Sequence, residues 1–181
     1  MNDAAPASVT PPRIVATDLN HPAHAQAVLE LLDHYARDPM GGGAPLPAAT
    51  RAVLVERLRA RPGFVSFLAF ERDHNGSDDE GGGATRALGL LNAFEGFSTF
   101  AAQPLLNVHD IVVHAAHRGR GIARALLAAA EDAARARGCC KLTLEVLSNN
   151  TAALRAYTHA GFRPYELDPA AGQALFLQKW L

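Results

Sequence analysis

The run Arg118-Gly119-Arg120-Gly121-Ile122-Ala123 limits this chain more than any other stretch. It is preceded by the β-branched run Val108-His109-Asp110-Ile111-Val112-Val113 and followed by a helical pattern from about Gly121 to Arg137, closed by Gly138. Two glycines allow backbone conformations closed to other residues, so successive N–H groups can converge on one concavity. The helix behind them adds its positive dipole end. Arg118 and Arg120 add charge and guanidinium forks, so a strand, glycine turn and helix of this composition predict a diphosphate at the turn.

Phosphate-binding turns have distinct grammars. A Walker loop needs Gly-Lys followed by Ser or Thr, and no such triplet occurs in the chain. The dinucleotide fingerprint finds Gly119 and Gly121 but meets Arg124 where a third small residue should pack helix against strand. Glu145, the nearest acid for a ribose, lies within a strand pattern instead of at its end. On these residues alone, a glycine turn that merely joins strand to helix stays open beside the phosphate reading.

At 181 residues the chain has the length of one domain, with residues 1–12, rich in Ala and Pro, expected as a mobile tail and 13–181 as the domain. Lys and Arg total 17 against 18 Asp and Glu, which argues against a nucleic-acid partner. The only cysteines, Cys139 and Cys140, are sequence neighbours and poorly placed for a disulfide, so a cytoplasmic protein is expected. They read as small apolar fillers. No apolar run approaches the ~20 residues of a membrane span, so no membrane role is expected. Asp110, His114 and His117 do not form a recognised metal spacing, and no metal is expected. A homodimer is compatible with the chain, and the sequence does not decide it.

Periodicity supplies the remaining elements. Arg13 to Thr17 reads as a strand; a helix begins at Asn20-His21-Pro22, with Val28, Leu31, Leu32 and Tyr35 on one face. Asp38-Pro39-Met40-Gly41-Gly42-Gly43 cannot stay helical, and a second helix carrying Leu54 and Leu58 ends before Pro62. Phe64 to Phe70 and Ala87 to Phe94 predict an antiparallel hairpin whose tip, Glu71 to Arg86, is exposed. In the helix after the glycine turn, Ile122, Leu126, Ala129 and Ala133 fall on one face. Leu142 to Leu147 predicts a strand, Asn150 to Ala160 a helix, and Phe162 to Tyr165 with Ala174 to Lys179 a closing pair of strands.

Arg118-x-x-Gly121-x-Ala123 resembles the acetyl-CoA loop of the GNAT superfamily, usually written Arg/Gln-x-x-Gly-x-Gly/Ala. Asn150, Ala153, Tyr157, Gly161 and Phe162 match the second half of that pattern, an Asn followed at +3, +7, +11 and +12 by Ala, Tyr, Gly and Phe. The likeness is strongest from about His109 to Phe162; Ala115 stands where the family often has Pro. The stretches 38–43, 94–100 and 139–146 together resemble a bacterial subgroup whose substrate is unassigned. The resemblance implies an α/β GNAT fold, with a mixed, mostly antiparallel sheet of about seven strands and about four helices. It also implies transfer of acetyl from acetyl-CoA to a primary amine on a small molecule, amino acid or peptide. A non-catalytic acetyl-CoA sensor or partner-binding module is the alternative; Tyr157 argues against it, because binding alone has no use for a proton donor at sulfur.

Carried over residue by residue, the resemblance implies that Ile111, Val112 and Val113 run beside pantetheine, with backbone groups of Ile111 and Val113 pairing to it. It implies that Gly119, Arg120, Gly121, Ile122, Ala123 and Arg124, with Arg118, hold pyrophosphate, that Asn150 and Ala153 border the pantetheine arm, and that Tyr157 protonates the leaving thiolate. The acceptor side is less determined. An alkyl amine is mostly protonated near neutral pH, and histidine is the side chain whose ordinary pKa suits its removal there. His109 is expected as base on the face of Ile111 and Val113, with Asp110 pointing the other way and Glu95 second in line. Tyr35, Asp38, Met40, Phe97, Asp110 and Glu145 are expected around the acceptor, with Phe94, Ser98 and Phe100 as a further wall. The triple glycine at 41–43 reads equally as a pocket border or a spacer.

Overall fold

Five strands, in chain order across the sheet, carry two helices on one face and a long helix on the other in the computed structural model, which describes residues 11–71, 86–165, 170 and 174–181. The elements are β1 (Arg13–Ala16), α1 (Pro22–Arg37), α2 (Ala48–Arg59), β2 (Phe64–Phe70), β3 (Ala87–Ser98), β4 (Gln103–Val113), α3 (Ile122–Ala136), β5 (Leu142–Leu144) and α4 (Thr151–His159). β1 to β4 form an antiparallel meander, and α3 then crosses over so that β5 lies parallel to β4. This is the expected α/β class and helix number.

Local chemistry explains the boundaries. Pro22 opens α1, where a missing N–H costs nothing, and Asp38 turns to extended backbone before Pro39, whose ring disfavours helix in the residue ahead of it. α3 stops at Gly138, which takes a left-handed φ of 67° while Cys139 N returns to Ala134 O at 2.9 Å.

The core has two parts, divided by the sheet. Between sheet and α3 lie Val65, Ala69, Leu91, Leu106 and Val108 with Ile122, Leu126 and Leu127. On the other side Leu68, Phe70, Leu90 and Val112 meet Val28 and Leu31 of α1. Gly89 lets α3 come close: a Cβ there would stand 2.9 Å from Val112 O and 3.0 Å from Ile122 Cγ2.

Several expectations need correction. The sheet has five strands among the described residues, not about seven: Phe162–Tyr165 and residues 174–179 form no ladder. An apolar run specifies a strand only when an edge receives it, and β5, at the sheet's edge, ends at Leu144 instead of Leu147. The chain after α4 instead packs by side chains, with Phe162 against Tyr157 and the Tyr165 ring beside Lys141. β3 and β4 run beyond the apolar stretches, pairing from Phe94↔Asn107 out to Ser98↔Gln103. That end of the hairpin projects past the core, so hydrophobicity could not mark it. Along α3 the buried face is Ile122, Leu126, Leu127, Ala130 and Ala134, with Ala129 and Ala133 only at its flank. Alanine at most positions blurs the helical phase. Most of the expected 71–86 tip, and most of the expected tail, lie outside the described residues.

Candidate active site

The turn between β4 and α3 is built as the glycines require. Gly119 and Gly121 have φ of 79° and 77°, in the left-handed region, and nothing lies within 4 Å of a Cβ built on either. Gly121 caps α3 without a side-chain bond. The N–H groups of Gly119 through Arg124 donate to no other backbone carbonyl among the described residues, whereas Ala125 N bonds Gly121 O at 3.1 Å. A row of unbonded amides at a helix start has the donors to seat an anion.

Basic side chains frame that seat. Arg118 Nε donates to Val113 O at 3.3 Å, and its Nη2 stands 2.8 Å from Asp38 Oδ2, eighty residues earlier. Arg120 Nη1 lies 2.7 Å from His117 Nδ1, and its Nη2 is 3.8 Å from Glu71. His114 stacks on His34 with ring centroids 4.6 Å apart and meets Arg86 Nη2 at 2.7 Å. Burial, then the Arg86 charge, holds the His114 pKa below the usual histidine value. The histidines here are engaged with rings and arginines, and no group of three or more His, Cys, Asp or Glu among the described residues is disposed to hold a metal.

Beside the seat the sheet opens. β5 pairs with β4 only over Leu106–Val108, so from His109 to Val113 the outer edge of β4 has no strand neighbour among the described residues. Ile111 and Val113 pack on the α3 side, while Val112 is buried on the α1 side opposite Leu90. Val146 and Leu147, just past β5, are exposed. An extended chain could therefore be accepted at Ile111 to Val113 by backbone pairing.

Tyr157 packs against the same core cluster as Ile111 and Val113. Its ring packs on Phe162, with centroids 6.0 Å apart, and its hydroxyl bonds to no described residue. Burial, with a smaller effect from Tyr35, pushes the phenol pKa up to about 12. Asn150 caps α4: its Oδ1 accepts from Ala153 N at 3.1 Å, fixing the helix that carries Tyr157. Its amide nitrogen has no partner among the described residues.

On the acceptor side the structure alters one expectation. The β3–β4 register shifts between Asn92↔Asp110 and Ala93↔Val108, leaving His109 as the extra residue of a bulge. His109 is exposed and edge-on to Phe94 at 5.5 Å, and Phe94 packs on Phe64 beside α1 and α2. It therefore faces away from Ile111 and Val113, contrary to strict alternation, because the bulge resets the period. Asp110 lies on that same side, its Oδ2 accepting from Asn92 Nδ2 at 3.1 Å. Tyr35 is near enough to Asp110 and Asp38 that, after burial, their charges help raise its pKa.

Other expected residues are scattered. Glu95 is exposed with Gly63 beside its Cβ, and its charge raises the Cys139 thiol after burial does, which puts it across the sheet from His109. Glu145 lies just past β5 and accepts from Asn107 Nδ2 at 3.2 Å. Phe97 and Phe100 are exposed at the far hairpin end, and Met40 is partly exposed, with its N–H on Asp38 Oδ1 at 2.9 Å. The structure thus gathers Tyr35, Asp38 and Asp110, and leaves Glu95, Phe97 and Glu145 apart from them.

Asn92 escaped the sequence reading. It is 1% exposed, and its Oδ1 has no hydrogen-bond partner among the described residues. Its signal was one amide inside the apolar run Leu-Leu-Asn-Ala, a placement that costs free energy unless partners await it.

The acetyltransferase (GNAT) family model matches residues 56–162. Streptothricin acetyltransferase of Streptomyces lavendulae is 39% identical over 127 residues, 64% of this chain and 67% of that protein. Two solved structures share the fold. An aminoglycoside acetyltransferase from an uncultured soil metagenomic sample superposes with TM-score 0.70 at 15% identity, covering 94% of this chain and 96% of that one. A ribosomal-protein-alanine N-acetyltransferase from Brucella melitensis gives 0.64 at 20%, over 93% and 99%. With the family model covering more than half its length, and the strand, glycine turn and helix lying inside the matched residues, this chain belongs to the GNAT acetyltransferase family.

Proposed function

We propose that this protein is an acetyl-CoA-dependent N-acetyltransferase whose acceptor is a primary amine on a small, multiply charged cation. The observation that carries the reading is the row of unbonded amides from Gly119 to Arg124 at the start of α3, which follows directly on the open edge of β4. Those amides, with Arg118 and Arg120, suit a diphosphate; the β4 edge suits pantetheine; Asn150 fixes α4 and offers its amide nitrogen to the same arm. When bound, acetyl-CoA supplies an acyl carbon activated for attack by the amine, with sulfur as the leaving atom.

The chain's own groups then manage protons. Tyr157 keeps its proton through the neutral range, so its hydroxyl is available to donate toward sulfur as negative charge develops there. His109, turned by the bulge toward Phe94 and the α1 side where Asp110 also lies, is the group we assign to take a proton from the incoming ammonium. Asp38, Asp110 and the Tyr35 hydroxyl supply negative charge and hydrogen-bond capacity for a cationic acceptor. The relative named for streptothricin supports that choice of class.

The test is thiol release from acetyl-CoA with streptothricin, an aminoglycoside, lysine and an N-terminal peptide as acceptors. Amine-dependent release is expected, strongest with a polycation. His109→Gln should lower the amine-dependent rate by about a hundredfold or more, and an unchanged rate would discard that assignment. CoA binding without release to any acceptor would favour the sensor reading.

A further inference from the structure

Asp38 is the point where the two halves of the site touch. Its Oδ1 receives Met40 N at 2.9 Å, and its backbone oxygen receives Gly41 N at 2.8 Å and Gly43 N at 3.1 Å, so this residue organises the whole 38–43 turn. Its second carboxylate oxygen, Oδ2, turns instead to Arg118 Nη2 at 2.8 Å, the first residue of the anion turn. Arg118 cannot fully serve a diphosphate while its guanidinium is committed to a carboxylate. That carboxylate would also repel the diphosphate.

We propose that Asp38 is a linking residue: in the free protein it holds Arg118 away from the phosphate seat, and cofactor binding transfers Arg118 to the diphosphate and frees the Asp38 carboxylate for the acceptor's ammonium. This rests on the reading above that the turn takes CoA. The consequence is coupling through one ion pair. Each ligand removes the other's competitor, so the cationic acceptor and the cofactor bind with positive cooperativity, reciprocal by linkage. Uncharged acceptors gain nothing from the exchange.

The signature is counterintuitive for a residue of the binding site, because removing the Asp38 charge should strengthen CoA binding. Asp38→Asn keeps an oxygen for Met40 N and so preserves the turn. Calorimetry with CoA at low ionic strength is expected to show Asp38→Asn binding about two- to fivefold tighter than wild type, the scale of a partly exposed ion pair. Arg118→Gln should bind about tenfold weaker. In the Arg118→Gln background, Asp38→Asn should change affinity by less than about twofold, since its effect passes through Arg118. Asp38→Ser, which can also accept from Met40 N, serves if the Asn variant does not fold. An unchanged or weakened affinity in Asp38→Asn would overturn the proposal, as would equal tightening in both backgrounds, which would mean general charge repulsion. Wild-type protein that takes up no CoA would instead sink the parent reading and this one with it.

Discussion

Tyr157→Phe is expected to lower kcat by about a hundredfold to ten-thousandfold while leaving the dissociation constant for CoA within about twofold, because general-acid assistance contributes on that scale. Phenylalanine keeps the ring that packs on Phe162, so α4 stays in place and only the hydroxyl is lost. The pH dependence follows from the raised pKa. The folded value, about 12, lies above the ordinary tyrosine value, so the proton stays bound throughout the neutral and mildly alkaline range. The wild-type rate should therefore show no alkaline downturn from this group below about pH 10. Stability follows the same sign: the contribution of the neutral phenol is complete below the unfolded value and is lost as pH climbs through about 12. Stopped-flow thiol release separates the kcat effect from binding. A variant within threefold of wild type in kcat would remove Tyr157 from the chemistry.

The second large effect is expected at Gly121. Its φ of 77° is a left-handed conformation that costs about 1–2 kcal/mol for an ordinary L-residue, and a β-branched side chain is worse placed there still. Gly121→Val has open space for its side chain, since nothing lies within 4 Å of a Cβ at that position, so the strain is in the backbone alone. Relief comes by rotating the 120–122 peptides, which swings the amides off their common focus. CoA affinity should fall about tenfold to a hundredfold, with the circular dichroism of the sheet and helices retained. An affinity within twofold of wild type would mean that those amides are not the seat.

How much of this was legible depended on whether a residue's role was local. The glycine turn was readable because left-handed backbone and helix start are written within a few residues, Arg118 to Ala123. The hairpin was readable because its apolar runs have strand length and are buried on both faces, and α1 because its apolar residues recur at helical spacing. His109 was misplaced because alternation assumes an unbroken ladder, and the bulge opposite Asn92 and Ala93 is a property of two strands together. The closing strands failed similarly: residues 174–177 carry an apolar run, but pairing depends on an edge that no local sequence describes. Asn92 and the Asp38–Arg118 pair were invisible for a third reason, since both act across long separations that composition and spacing cannot measure.

The central claim is that main-chain N–H groups hold the diphosphate, and amide-resolved NMR addresses it directly. Labelled protein titrated with CoA should show the largest ¹⁵N–¹H shifts at Gly119 through Arg124, whereas pantetheine, which lacks the diphosphate, should move Ile111 and Val113 and leave those six nearly still. Saturating CoA that leaves the Gly119–Arg124 amides in place, or pantetheine that moves them equally, would contradict the account.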